Sequence, residues 1–201
     1  FETTNSSNNK RQIKTYHRSV GNSVQFEPTT DYVSDNNEWN NIIVIIDNNA
    51  GNYKMYHNGI SVLDYNFNTG HSFYDAGRSW VIGNTQTSYF EGKIDEVAFW
   101  DDALTTAEVT AIYNSGNGLA LNSNSGNYSS STDLKAYYRF SENSGSVAYD
   151  LSGNGKHGTI SGAAFAAGNA DRAVPTVTNV TSTTSDGMLK VGDVAVITVT
   201  F

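Results

Sequence analysis

The chain of 201 residues contains no cysteine. Disulfides, thiolate zinc sites and cysteine nucleophiles are therefore excluded. A secreted eukaryotic module of this size often carries a disulfide, so the absence leans towards an exported bacterial protein. Cationic side chains are scarce as well. Twelve Lys and Arg stand against 20 Asp and Glu, a net charge of -8, and the pI is about 4.8. Nucleic acid selects a basic face and is disfavoured as a partner. Cations, neutral glycans and cationic surfaces fit the balance, and a mild acidic excess also serves solubility alone. No apolar run is long enough to cross a bilayer as a helix, which argues against membrane insertion. No initiator Met or signal peptide stands before Phe1, so the expectation is a mature or excised piece of a longer protein.

What the chain has in quantity is Asn, about two dozen residues, together with 18 Gly. Both reach positive φ cheaply and serve turns. Short β-branched and aromatic runs between such turns predict an all-β protein. Gln12 to Arg18 alternates as one strand. WNNIIVIID (39–47) reads as a buried strand, DNNAGN turns the chain, and YKMYHNGISVL returns, so 39–63 is expected as a hairpin. Asn58-Gly59 is a further turn signal. RSWVIGN (78–84) and FEGKIDEVAFWD (90–101) read as two more strands. The period then changes. LTTAEVTAIYNSG predicts the one helix, with Thr105 and Glu108 as a capping box, Leu104 and Val109 as a hydrophobic staple, and Gly116 as its end.

Residues 117–132 form a polar loop. Leu134 to Phe140, Ser146 to Asp150 and Gly158 to Phe165 are further strand candidates. After a linker carrying Pro175, residues 176–184 and 193–201 alternate around Asp186-Gly187. Two strands do not make a stable domain. The expected organisation is therefore a domain over 1–171 and the start of a second, incomplete β domain over 172–201.

Several stretches together resemble the laminin-G-like and pentraxin-like domains. WNNIIVIIDNNAGNYKMYHNG is similar to their Trp-led strand, turn and strand ending in NG. FEGKIDEVAFWDDALTTAEVTAIY resembles their closing signature, and AYYRFSENSGSVAYDLSGNGKHGTISGA another of their signatures. The resemblance implies a concanavalin A-like jelly roll, a two-sheet antiparallel sandwich, in which members are usually extracellular, bind glycans or proteins and often hold calcium. The tail from Pro175 resembles the opening of immunoglobulin-like repeats in bacterial adhesins. The order departs from the pattern, because the AYYRF signature follows the closing helix. Either it supplies strands to the same sandwich, or it is the remnant of a second repeat.

DLSGNG places Asp150, Ser152 and Asn154 at alternate positions before Gly155, as many calcium loops begin. The twelfth position from Asp150 is Ser161, so this is no EF-hand; Glu142, Asp133 or carbonyls would have to add oxygens. The competing reading is an Asx-turn in which Asp150 caps its own loop. Asp47 and Asn49 form a second oxygen cluster that a hairpin turn also explains. The stretch after VIGN, where pentraxin-like domains hold calcium, reads NTQTS and offers only Asn84 and Gln86. For stacking on sugars, the candidates are Tyr53, Tyr65, His71, Phe73, Tyr74 and Tyr89. At least two of Trp39, Trp80 and Trp100 are expected in the core.

Catalysis is not expected. Hydrolysis of a glycoside needs paired carboxylates across a cleft, whereas Asp95 and Glu96 fall on opposite faces of the strand expected there. Two functions remain. One is a non-catalytic extracellular or cell-surface module that recognises a glycan or cell-surface ligand in adhesion, with possible calcium support. The other is a structural spacer or assembly unit whose partners are neighbouring subunits or domains.

Overall fold

The computed structural model describes residues 39–67, 80–83 and 89–166 in full, and the backbone of six further strands outside them. At the start, β1 (Glu2–Asn5) pairs antiparallel with β2 (Arg11–Lys14), and β3 (His17–Arg18) with β4 (Val24–Phe26). The run expected as one strand, 12–18, is thus divided between two strands with different partners.

β5 (Ile42–Asp47), β6 (Asn52–His57) and β7 (Ile60–Asn66) form a three-stranded antiparallel sheet with β6 in the middle. The expected hairpin is therefore a meander. Asn58 and Gly59 have φ of 49° and 75°, the two left-handed residues of a type I′ connection. The register sets Ile43 opposite Tyr56 and Val44 opposite Met55. Because side chains alternate along a strand, the sheet divides two clusters. Ile43, Ile45 and Tyr56 join Leu104, Val109, Ile112, Leu121, Tyr128, Leu134 and Tyr137 in the larger one. Tyr53 and Met55 lie on the opposite face with Ile42, Val44, Val62, Leu63 and Phe67. β6 is covered on both sides, which explains its near-continuous burial.

β8 (Val97–Trp100) pairs antiparallel with β9 (Leu134–Tyr138). Two expectations are corrected here. Residues 80–83 are irregular, and 90–101 becomes a strand only at Val97. Glu96 has φ of 52° and Gly83 of 80°, and neither conformation continues a pleated strand. Of the three Trp residues, only Trp100 packs against the core; Trp39 and Trp80 are exposed. Trp39 precedes β5, and Trp80 lies in the irregular segment.

α1 (Thr106–Tyr113) forms where the spacing places it. Thr105 Oγ1 accepts from the Glu108 N–H, and the Glu108 carboxylate accepts from the Thr105 N–H, completing the capping box. Leu104 and Val109 both enter the larger cluster, as a hydrophobic staple requires. The helix stops two residues earlier than Gly116, because Asn114 already takes the left-handed conformation at φ 46°. A short 3-10 turn, Asn114–Gly116, follows.

β10 (Val147–Ala148) pairs with β11 (Gly158–Thr159), and β12 (Asn179–Ser182) with β13 (Ile197–Thr200), each antiparallel. Since β9 pairs with β8, and Leu134 and Tyr137 share a cluster with β5, β6 and α1, the AYYRF segment belongs to the same packed body as the closing helix. The described fold is mostly β with one short helix.

Candidate ligand-binding surface

The most exposed aromatic side chains among the described residues are Trp80, at 82%, and Tyr89, at 78%; Phe90 is half-exposed. The Phe90 N–H donates to the Gly83 carbonyl at 2.8 Å, which ties 89–90 to the 80–83 segment. Trp80 leans on Phe99 of β8, with ring centroids 4.7 Å apart and planes at 59°. Two glycines allow close packing in these segments. A Cβ at Gly92 would come within 2.8 Å of the Phe90 ring, and one at Gly83 within 3.2 Å of Ile94 Cδ1. Trp80 is thus anchored on a strand and open to solvent, and an exposed ring of this kind can stack on the apolar face of a sugar. Tyr89 is among the residues that the sequence offers for stacking, and its side chain is exposed. Trp80 is missed, because WVIG reads as a buried strand; Gly83 is the one local sign of a bend.

Other expected ligand-contacting residues fall elsewhere. Tyr53 is fully buried, because it shares a face with Met55 in the smaller cluster; it is a core residue and offers no platform. Tyr65, opposite Tyr53 on β7, is 44% exposed. His71, Phe73 and Tyr74 lie outside the described residues.

In DLSGNG, Asp150 is buried. Its Oδ1 accepts from the Tyr137 N–H at 3.0 Å and the Ser152 N–H at 2.9 Å, and its Oδ2 from the Lys156 N–H at 2.9 Å. Burial by itself raises this carboxyl, but the hydrogen bonds from Ser152, Lys156 and Tyr137 outweigh it and bring the pKa down to about 2. Ser152 Oγ accepts from Asn154, and Asn154 Nδ2 donates to the Leu134 carbonyl at 2.8 Å. The loop directs N–H donors at its carboxylate and turns the Asn154 amide nitrogen towards β9. A calcium ion needs converging oxygens, and these three side chains do not fit one as arranged. Asp47 is similar: its Oδ1 accepts from the N–H groups of Asn49 and Ala50 at 3.0 and 2.8 Å, an Asx-turn. Among the described residues no cluster of three His, Cys, Asp or Glu has metal-binding geometry.

The carboxylates near β8 also have structural partners. The Asp95 carboxylate accepts from the Glu96 N–H. Glu96 accepts from the buried Tyr137 hydroxyl and pairs with Arg139 Nε at 3.0 Å. Burial, then Glu96 itself, raises the Tyr137 pKa. A second network centres on Glu108, which sequence reasoning assigns to the helix cap alone. It also accepts from Ser129 N–H and Oγ and from Ser130 Oγ, drawing the polar loop onto α1. Tyr128 in that loop is fully buried; its hydroxyl donates to the Leu121 carbonyl and accepts from Trp100 Nε1.

A mostly β body with one short helix is consistent with a β-sandwich of the concanavalin A-like class. The family model described as the Concanavalin A-like lectin/glucanases superfamily matches residues 1–110. The match covers more than half of the chain, and the chain belongs to this superfamily. A solved structure from Bacteroides ovatus, provisionally described as a carbohydrate binding protein, is similar to it at 20% identity and a TM-score of 0.50. The similarity covers 69% of this chain and 41% of that one, so the chain spans less than half of that protein's length. At this identity the likeness concerns the fold. No curated protein matches.

Proposed function

We propose that the chain is a non-catalytic recognition module that binds a neutral glycan outside the cell, on a two-sheet jelly roll covering 1–171. The exposed aromatic side chains Trp80, Tyr89 and Phe90, on two segments tied by the Phe90–Gly83 backbone bond, carry this reading. Superfamily membership supports it, as does the description of the B. ovatus protein as carbohydrate binding. The acidic balance of the chain favours uncharged sugars over anionic ones. The partners of Asp95 and Glu96 suit a structural role and support the absence of catalysis. The antiparallel pair β12–β13 supports a further β domain, of the adhesin-repeat kind, opening near 172.

The test is affinity electrophoresis of the full chain through gels carrying neutral polysaccharides. Wild type is retarded by at least one of them, and Trp80→Ala and Tyr89→Ala each weaken binding about tenfold or more, as the loss of an aromatic contact predicts. Unretarded wild type across a broad set, with the fold intact, would overturn the glycan reading and favour the spacer.

A further inference from the structure

The ladder of β10 and β11 ends with Ala148 opposite Gly158. One step further the chain brings Tyr149 to His157, and the two rings meet edge-on, with centroids 5.3 Å apart and planes at 74°. The Asp150 N–H, left beyond the ladder, donates to His157 Nδ1 at 3.1 Å. An amide N–H can only donate, so Nδ1 accepts, and the ring is neutral with its proton on Nε2. A protonated imidazole carries N–H on both nitrogens and would turn a donor towards a donor. His157 is exposed, so protons reach it from solvent.

The charged and titratable groups around the ring do not replace this bond. The Asp150 carboxylate already accepts from the N–H groups of Tyr137, Ser152 and Lys156. Glu142 Oε1 takes the Tyr149 N–H at 2.7 Å. The Tyr138 hydroxyl, from β9, donates to the Lys156 carbonyl, and the Lys156 side chain has the same sign as a protonated ring. Asp150 titrates far into acid, at about 2, and burial raises the Tyr138 hydroxyl, so neither changes charge near neutrality. We propose that His157 is a proton-sensitive latch on the turn 149–157: the neutral ring holds the Asp150 N–H, and proton uptake releases it. The latch is closed while the ring is neutral and opens as pH falls through about 8 to 5, the range in which histidine titrates. It therefore acts in milder acid than the Asp150 carboxylate does.

The test is a nuclear magnetic resonance titration of the full chain from about pH 8 to about pH 5. Ring nitrogen shifts locate the His157 proton, and the exchange rate of the Asp150 amide is followed after correction for the intrinsic effect of pH. The helical amide of Val109 serves as the control for folding. At the alkaline end the proton resides on Nε2. On acidification the Asp150 amide exchanges about tenfold faster while Val109 is unchanged. His157→Asn offers an oxygen acceptor in place of Nδ1 and cannot titrate, so exchange stays slow throughout. His157→Ala has no acceptor, so exchange is fast throughout. The proposal fails if the neutral ring carries its proton on Nδ1, or if wild-type exchange does not respond to pH. It fails equally if the response persists in either variant, which would assign it to another group, or if His157→Ala exchanges no faster than wild type at the alkaline end.

Discussion

Glu108 is a buried carboxylate on which five donors converge, two from Thr105, two from Ser129 and one from Ser130. Burial alone would raise its pKa; the Ser130, Thr105 and Ser129 hydrogen bonds more than offset this and hold it at about 2 against an ordinary 4.5. A carboxyl whose folded pKa is depressed stabilises the fold above its ordinary pKa. That contribution is lost as pH falls from 4.5 towards 2. Glu108→Gln keeps the shape and removes the charge. It should cost roughly 2–3 kcal/mol at neutral pH. Denaturant melts across pH 2 to 7 check this, with the difference between wild type and variant shrinking on the acid side of that window. An equal difference at every pH would show that the bonds do not depend on the charge. Asp150, at about 2 against 3.8, adds acid sensitivity of the same sign.

At the scale of elements, the clearest coupling runs from the β6–β7 turn to α1. Gly59 holds φ of 75°, and a Cβ there would lie 2.8 Å from Tyr113 Cδ1 on the helix. Gly59→Ala meets both backbone strain and a side chain that must move, and should destabilise by roughly 1–3 kcal/mol. Asn58→Gly, which also accepts positive φ, tests the turn alone and should cost less, although it removes the Asn58 Oδ1 bond to the Asn41 N–H. Equal losses in urea melts would show that the contact with Tyr113 contributes nothing. This turn and this helix were legible because their signals are local: NG, a capping box, a staple. The strand expected at 90–101 was not, because the positive φ of Glu96 accompanies its bonds to Tyr137 and Arg139, about forty residues away. Trp80 was misplaced for a related reason. Its apolar neighbours look like a core strand, and only the bend at Gly83 and the packing on Phe99 turn it outward. Tyr53 erred in the opposite direction, since a central strand buries both faces and alternation alone does not show it.

For the whole molecule, the decisive question is whether an ion or the chain itself holds the junction between β9 and the segment after β10. The oxygen pattern of DLSGNG suggests an ion, and the sequence could not separate that from an Asx-turn. The folded arrangement supplies a physical discriminant, because a carboxylate met by three backbone N–H groups is already compensated. A cation would have to compete with those donors, and the Asn154 amide is spent on the β9 carbonyls. Preferential binding of calcium to the folded state would raise the melting temperature by linkage. The expected result for the full chain is the same melting temperature in calcium and in excess chelator. Asp150→Ala strands the Tyr137 and Lys156 N–H groups and should lower stability by roughly 2–4 kcal/mol, equally in both conditions. A loss confined to calcium would assign the loop to the ion and make Asp150 a ligand. An equal loss would make the junction intrinsic to the chain, held by the backbone donors around Asp150 with no ion required.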